Sequence, residues 1–309
     1  MLLSFIRNYF HSVPSNISDN FFKLSNKYLR TDYGINQWFL LYKLKKGTSF
    51  TESKYLIPPK DSFWADPHAI EFNGLIYVFF EDYNYKLGKG VISFLSINSI
   101  GQVSVPEKIL ESDYHLSYPY VFKEKSRFFM IPECSGSGKI QLYESLDFPY
   151  KWKPINTIIN GVKAVDTTLL KKDNIWWLFT SFKDETNVSP SNNLNIFYSE
   201  DLLSKEWTPH PYNPILSENR NMRSAGKVFR IKNRLFRPSQ KSQQRYGQGI
   251  HINEVVSLNR NVFEEIKIKT IDSNNFTNVS GIHTLSKGNN YLILDCLKFR
   301  HENHFLRLK

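Results

Sequence analysis

The chain repeats itself, and the repeat limits what it can fold into. Five times, a strand-like run opens on a polar or turn residue and is followed by an aromatic second run. The last polar residue of that second run stands 14 or 15 positions after the opening: Asp66 to Glu81, Pro119 to Glu133, Asp166 to Ser181, Gly226 to Gln240 and Gly281 to Asp295. Ordered units of about 50 residues with three or four antiparallel strands are the sequence form of a β-propeller, for which about 4–8 blades are usual. A β-sandwich also accounts for many short strands, but not for the constant offset.

The strands follow from period-two apolar and aromatic runs. Residues 38–42 form the first. The units then read 67–72, 76–81 and 91–97; 118–123, 128–133 and 140–144; 166–170, 176–181 and 195–199; 226–231, 235–240 and 249–255. The fifth has 282–285 and 291–296 and is completed by strands from the chain's ends. Aromatic residues make up 15% of the chain, which favours strands over helices. The expected fold is all-β, a five-bladed β-propeller over residues 37–309 with a short helical N-terminal segment over 1–36. In that segment Leu3, Ile6, Phe10 and Val13 fall at helical spacing, and Ser18, Asp19 and Asn20 could cap a second helix.

Arg7, Lys23, Lys27 and Arg30 make this segment an amphipathic patch that could touch a membrane as a peripheral contact; packing against the following domain is the plainer reading. The net charge of +11 suits phosphate-bearing partners such as nucleotide-sugars or anionic headgroups. The basic residues are spread along the chain, so no nucleic-acid partner is expected. Apolar runs fall short of the ~20 residues of a membrane span. The N-terminus lacks the pattern of a secretory signal. The expectation is a cytoplasmic role, with the inner face of the membrane as one place for it. Cys134 and Cys296 fit no metal spacing, nor do the histidines, and neither a metal nor a cofactor is expected.

In a propeller the innermost strands line one axis, so their first residues gather at one mouth. Asp66 and Asp166 open two such strands, each after apolar residues (Trp64-Ala65 and Ala164-Val165). Two carboxylates in unlike surroundings are the minimum for acid and base work on a glycosidic bond. Taken singly, each would be read as a turn or strand-end residue. Glu81 and Glu133 end second strands. Glu133, beside the Gly/Ser loop 134–138, is either a general acid or ligand clamp or a structural ion-pair partner, and Glu81 is a candidate substrate-binding residue. Arg237, Gln240 and Tyr246 form a donor-dense stretch, with Arg223 nearby, able to grip a carboxylate, phosphate or sugar hydroxyls. Bracing a central carboxylate is the alternative. His115 and His283 fall where the repeat puts the mouth. Trp64 and Tyr118 could stack on sugars, although core packing is the commoner role for such residues.

Several segments resemble a known family. They are 63–67, 115–119, 130–133, Phe148-Pro149 with Trp152, 165–168, 210–215, 237–240 with Tyr246-Gly247, and 281–284. They are similar to the N-terminal domain of glucosamine inositolphosphorylceramide transferases and stand-alone bacterial relatives. More distantly, Ala65-Asp66-Pro67 resembles the five-bladed glycoside hydrolases acting on arabinan, xylan and fructan. The second resemblance implies that Asp66 is a base or nucleophile and that Asp166 orients its partners. Those hydrolases carry a general-acid Glu where this chain reads Arg223-Ser224-Ala225-Gly226. The expected protein is therefore a glycosyl-transfer enzyme of cell-surface polysaccharide or glycolipid synthesis, with Asp66, Asp166 and Glu133 catalytic. Its substrate would be a sugar, nucleotide-sugar or glycolipid. A non-catalytic glycan-binding scaffold and a hydrolase with a relocated acid are the alternatives.

Overall fold

The computed structural model describes residues 35–183, 192–217, 219 and 221–300. The segment expected to be helical, 1–34, lies outside the described residues. No helix of seven residues or more occurs within them. The N-terminal strands are β1 (Ile35–Lys46), β2 (Ser49–Phe50) and β3 (Lys54–Leu56). Ile35 and Asn36, the last residues of the expected N-terminal segment, already pair with Arg300 and Phe299.

Blade one is β4 (Ser62–Phe72), β5 (Leu75–Asn84), β6 (Lys89–Ile97) and β7 (Glu107–Leu110). Blade two is β8 (Ser117–Glu124), β9 (Arg127–Glu133), β10 (Lys139–Asp147) and β11 (Lys151–Asn160). Blade three is β12 (Ala164–Lys172), β13 (Ile175–Phe182), β14 (Asn193–Ser199) and β15 (Thr208–Pro209), with β16 (Ile215–Leu216) also on β14. Blade four is β17 (Phe229–Ile231), β18 (Arg234–Lys241), β19 (Gly249–Leu258) and β20 (Phe263–Asp272). Blade five runs β21 (Leu285–Lys287), β22 (Tyr291–Arg300), β1 and β2, with β3 also paired to β1. The ring is thus closed by the N-terminal strand lying beside the C-terminal one, in a ten-pair antiparallel register from Ile35↔Arg300 to Leu44↔Tyr291.

Each blade buries one face against each neighbour, because side chains alternate across a strand. The result is five separate cores, one per seam. Leu40, Tyr42 and Ile293 meet Trp64, Phe80 and Leu95 between blades five and one. Phe79, Ile92 and Phe94 meet Val121 and Met130 between one and two. Tyr120, Phe122 and Ile140 meet Leu169, Trp176 and Leu178 between two and three. Trp177 and Ile196 meet Val228 and Leu235 between three and four, and Ala225 and Ile250 meet Leu41, Leu285 and Leu294 between four and five.

The inner strand of blade four is shorter than the expected 226–231. Before Phe229 the chain is held by bridges from Ser224 to Ser239 and from Gly226 to Leu285. Gly226 has φ 124°, and a Cβ there would lie 2.0 Å from the Leu285 carbonyl oxygen. Only glycine allows blades four and five to approach this closely.

Candidate functional site

Three inner strands bulge at the mouth. The pairing shifts by one residue between Ala65 and His68, between Ser117 and Tyr120, and between Val165 and Thr168. At each shift one residue takes a left-handed backbone: Asp66 (φ 53°), Tyr118 (φ 43°) and Asp166 (φ 50°). Bulges re-aim side chains: Asp66 and Asp166 are turned to the mouth, while Tyr118 stays packed in the core between blades two and three. The equivalent of Asp66 in blade two is therefore Tyr118 rather than Pro119.

Asp66 is buried and belongs to a cluster across the first and fifth blades. Its Oδ1 accepts from the Thr284 hydroxyl at 2.8 Å and lies 3.1 Å from His283 Nε2. The other ring nitrogen, Nδ1, lies 3.0 Å from Asp295 Oδ2. Asp295 also accepts from the backbone N–H groups of His283 (2.8 Å), Thr284 (2.9 Å) and Asp66 (3.1 Å). Burial alone would discharge these groups, but their proximity wins. Burial disfavours the His283 cation, yet Asp295 and Asp66 raise its pKa to about 10. Burial likewise disfavours the Asp66 anion, yet His283, Thr284 and Arg223 lower its pKa to about 2. Asp66, His283 and Asp295 also bring ligand atoms close enough together to surround a metal ion. Each imidazole nitrogen nevertheless lies within 3.1 Å of a carboxylate oxygen, the spacing of an imidazolium between two anions, although the Nδ1 approach to Asp295 is not aligned as a hydrogen bond.

Asp166 is held from blade four. Arg223 Nε and Nη2 donate to its two oxygens at 2.5 and 3.1 Å, and Gln240 Nε2 donates to Oδ2 at 2.8 Å. Burial, with Glu133 and Asp66 nearby, raises its pKa to about 7 against the pull of Arg223. The bidentate contact nevertheless occupies both oxygens as acceptors, so the geometry favours a carboxylate paired with a guanidinium. Glu133 lies 3.7 Å from both Lys183 Nζ and Arg223 Nη2. Burial would raise its pKa, but Lys183, Arg223 and His115 hold it below the usual range. Its Oε2, the Gln240 Oε1 and the Ser224 hydroxyl are buried without a hydrogen-bond partner.

Other residues singled out from the sequence are placed as follows. Glu81 is buried, with Oε1 3.3 Å from His115 Nε2, while His115 Nδ1 accepts from the Gly90 N–H at 3.0 Å. Tyr246 stands beside the central cluster, its ring 5.0 Å from that of His283 and 5.7 Å from the Arg223 guanidinium. Tyr118 is fully buried; its hydroxyl accepts from the Gly226 N–H at 2.8 Å and meets Thr168 Oγ1 at 3.0 Å. Trp64 lies in the seam between blades five and one and donates to Asp82 Oδ1 at 3.2 Å. Arg237 reaches the outer strand, where Glu265 accepts at 2.7 and 2.5 Å, and also donates to the Met222 carbonyl, in the stretch before β17, at 3.1 Å. These last three side chains are occupied within the fold.

Sequence reasoning passed over Asp295, Thr284 and Trp38. Asp295 was visible as the fifth term of the offset series. The Trp38 ring lies 4.3 Å from that of His283, and β1 carries it to the mouth only because the ring closes.

Two curated relatives carry the name glucosamine inositolphosphorylceramide transferase 1. The Oryza sativa subsp. japonica protein is 27% identical over 234 residues, covering 74% of this chain and 30% of the relative. The Arabidopsis thaliana protein is 29% identical over 210 residues, covering 67% and 27%. The chain thus spans less than a third of the relatives it matches. Among solved structures, the catalytic domain of a Coprinopsis cinerea family 62 α-L-arabinofuranosidase superposes with TM-score 0.60 at 13% identity, covering 87% of this chain and 98% of that one. A family 43 β-xylosidase/α-arabinofuranosidase from a compost microbial metagenome gives 0.56 at 15%, covering 78% and 91%. At such identities these likenesses show the fold. Residues 51–303 match the family described as glucosamine inositolphosphorylceramide transferase 1, N-terminal, and the chain belongs to that family.

Proposed function

We propose that the mouth binds a saccharide and performs glycosyl transfer from a phosphate-activated donor. One arrangement carries this reading: Asp66 lies 3.1 Å from His283 Nε2, and Glu133 lies 3.7 Å from both Lys183 Nζ and Arg223 Nη2, neighbours that favour the anionic form of each carboxyl. Hydrolysis of an ordinary glycoside needs a carboxylic acid to protonate the leaving oxygen. A phosphate leaving group is stable as an anion and needs no such proton. As the acceptor oxygen bonds to the anomeric carbon and the bond to phosphate breaks, Asp66 would face that carbon and stabilise its positive charge, and the acceptor's hydroxyl proton would leave through a carboxylate of the mouth. Asp166, oriented by Arg223 and Gln240, would hold sugar hydroxyls, and Glu133 Oε2, which makes no hydrogen bond within the described residues, would accept from another. Arg223 and Lys183 supply positive charge for the departing phosphate. Trp38 and Tyr246 would wall one side of the sugar. The transferase names of the full-length relatives support this assignment.

The hydrolase reading needs a relocated general acid at Glu133 or Glu81, and at Glu133 the neighbouring Lys183 and Arg223 oppose a held proton. The binding-module reading needs no turnover at all. A panel of nucleotide-sugars, with and without soluble and lipid-linked acceptors, separates the three. Transfer should require an acceptor, and Asp66→Asn should abolish it while donor binding persists. Free sugar released without any acceptor would favour the hydrolase. Binding without turnover by the unaltered protein would leave a recognition domain.

A further inference from the structure

The face of the propeller opposite the mouth carries features that the site does not use. The hairpins β4–β5, β8–β9, β12–β13, β17–β18 and β21–β22 all turn there through two or three residues, so its centre is flat. Basic residues stand at the ends of four inner strands: Lys125 after β8, Lys172 in β12, Lys232 after β17 and Lys287 in β21. The β1–β2 hairpin adds Lys46. Lys172 pairs with Asp173, but Lys46, Lys125 and Lys232 are exposed and meet no carboxylate among the described residues.

Two of these lysines sit where the backbone disfavours them. Lys125 and Lys232 have φ 55° and 53° at the first position of their turns. Blades one and three fill that position with Asn73 (φ 49°) and Asp173 (φ 54°), which tolerate the left-handed region better. Lysine is present at both turns despite a conformational cost.

The same face also exposes an apolar side chain from every blade: Ile100, Leu146, Leu203, Ile231 and Phe50, from blades one to five in turn. Each lies at a turn or strand end on this side; Ile97, for example, pairs with Ile76 beside the β4–β5 turn. Single exposed apolar residues are ordinary. At least one per blade, on the face that also carries lysines with no carboxylate partner among the described residues, is a pattern.

We propose that this face docks on the surface of an anionic lipid bilayer. The lysines would lie among the headgroups and the apolar side chains would dip between them, the combination that peripheral membrane binding uses. A nucleic acid would match the charge but has no use for the apolar ring. The mouth would then open into water roughly 30 Å from the bilayer, the length of a nine-residue strand at about 3.3 Å per residue. Substrates in solution or on extended glycans reach a mouth so placed.

The test is co-sedimentation of the full chain with phosphatidylcholine vesicles, with and without phosphatidylglycerol. Binding is expected only with the anionic lipid and should weaken with salt. The double variant Lys125→Asn/Lys232→Asn should lower the partition coefficient roughly 25-fold, at about five-fold per charge lost. Its Tm should stay level or rise, since Asn suits the left-handed turn; a merely structural role would move Tm the other way. Ile100→Ser/Leu203→Ser should weaken binding at every salt concentration. No binding to anionic vesicles, or equal binding to neutral ones, overturns the proposal. So does undiminished binding by both variants, which would put the contact elsewhere on the chain.

Discussion

Asp66 and Asp295, 229 residues apart, are joined directly: the backbone N–H of Asp66 donates to Asp295 Oδ2 at 3.1 Å. The contact binds the first blade to the last at the mouth. Asp295 is fully buried and also receives the His283 and Thr284 N–H groups, so one side chain both closes the ring and positions His283 beneath Asp66. Replacing it with Asn keeps the shape, removes the charge and turns an NH2 group towards donors. Removing one partner of a buried pair costs about 3–5 kcal/mol. Asp295→Asn should lose stability on that order in urea unfolding. A variant within about 0.5 kcal/mol of the parent, the range of an ordinary surface change, would show that the cluster is not a joint.

The imidazolium predicts an alkaline slope in stability. His283 has a folded pKa of about 10 against an ordinary 6.5. Its contribution is complete below 6.5, where folded and unfolded chains are both protonated, and is lost as pH rises towards 10. Asp66 acts at the other end: its contribution is complete above 3.8 and is lost as pH falls towards about 2. In a series of urea unfolding curves, His283→Gln should flatten the fall in stability between these two histidine pKa values. If the parent and the variant lose stability in parallel across that range, His283 is not charged in the folded protein.

Tyr118 offers a test of position against role. Its hydroxyl is the acceptor for the buried Gly226 N–H. Tyr118→Phe leaves that donor unsatisfied, at a cost of about 1–3 kcal/mol. Saccharide affinity should be unchanged, because the hydroxyl faces across the blades into the fold. Calorimetric titration of the variant with any ligand of the parent decides the matter. A selective loss of affinity at unchanged stability would return Tyr118 to the site.

The sequence carried the blades because a period-two run and a fixed offset are local signals. The gathering of Asp66, Asp166 and Arg223 was also legible, since inner-strand openings must converge on one axis. Other assignments depended on which face a side chain takes. Arg237 and Gln240 are three apart in one strand, so alternation sends them to opposite faces. Gln240 reaches Asp166 while Arg237 reaches Glu265. Trp64 and Asp66 are two apart and would share a face but for the bulge at Asp66. A bulge leaves little trace in a single sequence. Trp38 escaped notice for another reason: its position beside His283 exists only once the two ends of the chain have paired.

Glu133 decides between transfer and hydrolysis. Lys183, Arg223 and His115 favour its ionised form, and its buried Oε2 makes no hydrogen bond among the described residues, so it is built to accept a hydrogen bond rather than to give a proton. Glu133→Gln keeps one acceptor oxygen and removes the charge. If Glu133 only grips a hydroxyl, the change should raise KM more than it lowers kcat, by an amount set by one charge-assisted hydrogen bond. Such bonds contribute about 1.5–3 kcal/mol, roughly 10- to 150-fold in kcat/KM. The loss should be the same for donors with good and poor leaving groups. A general acid behaves differently: kcat would collapse for poor leaving groups and survive for activated ones. That split would make Glu133 the proton donor and would favour glycoside hydrolysis over transfer from a phosphate-activated sugar.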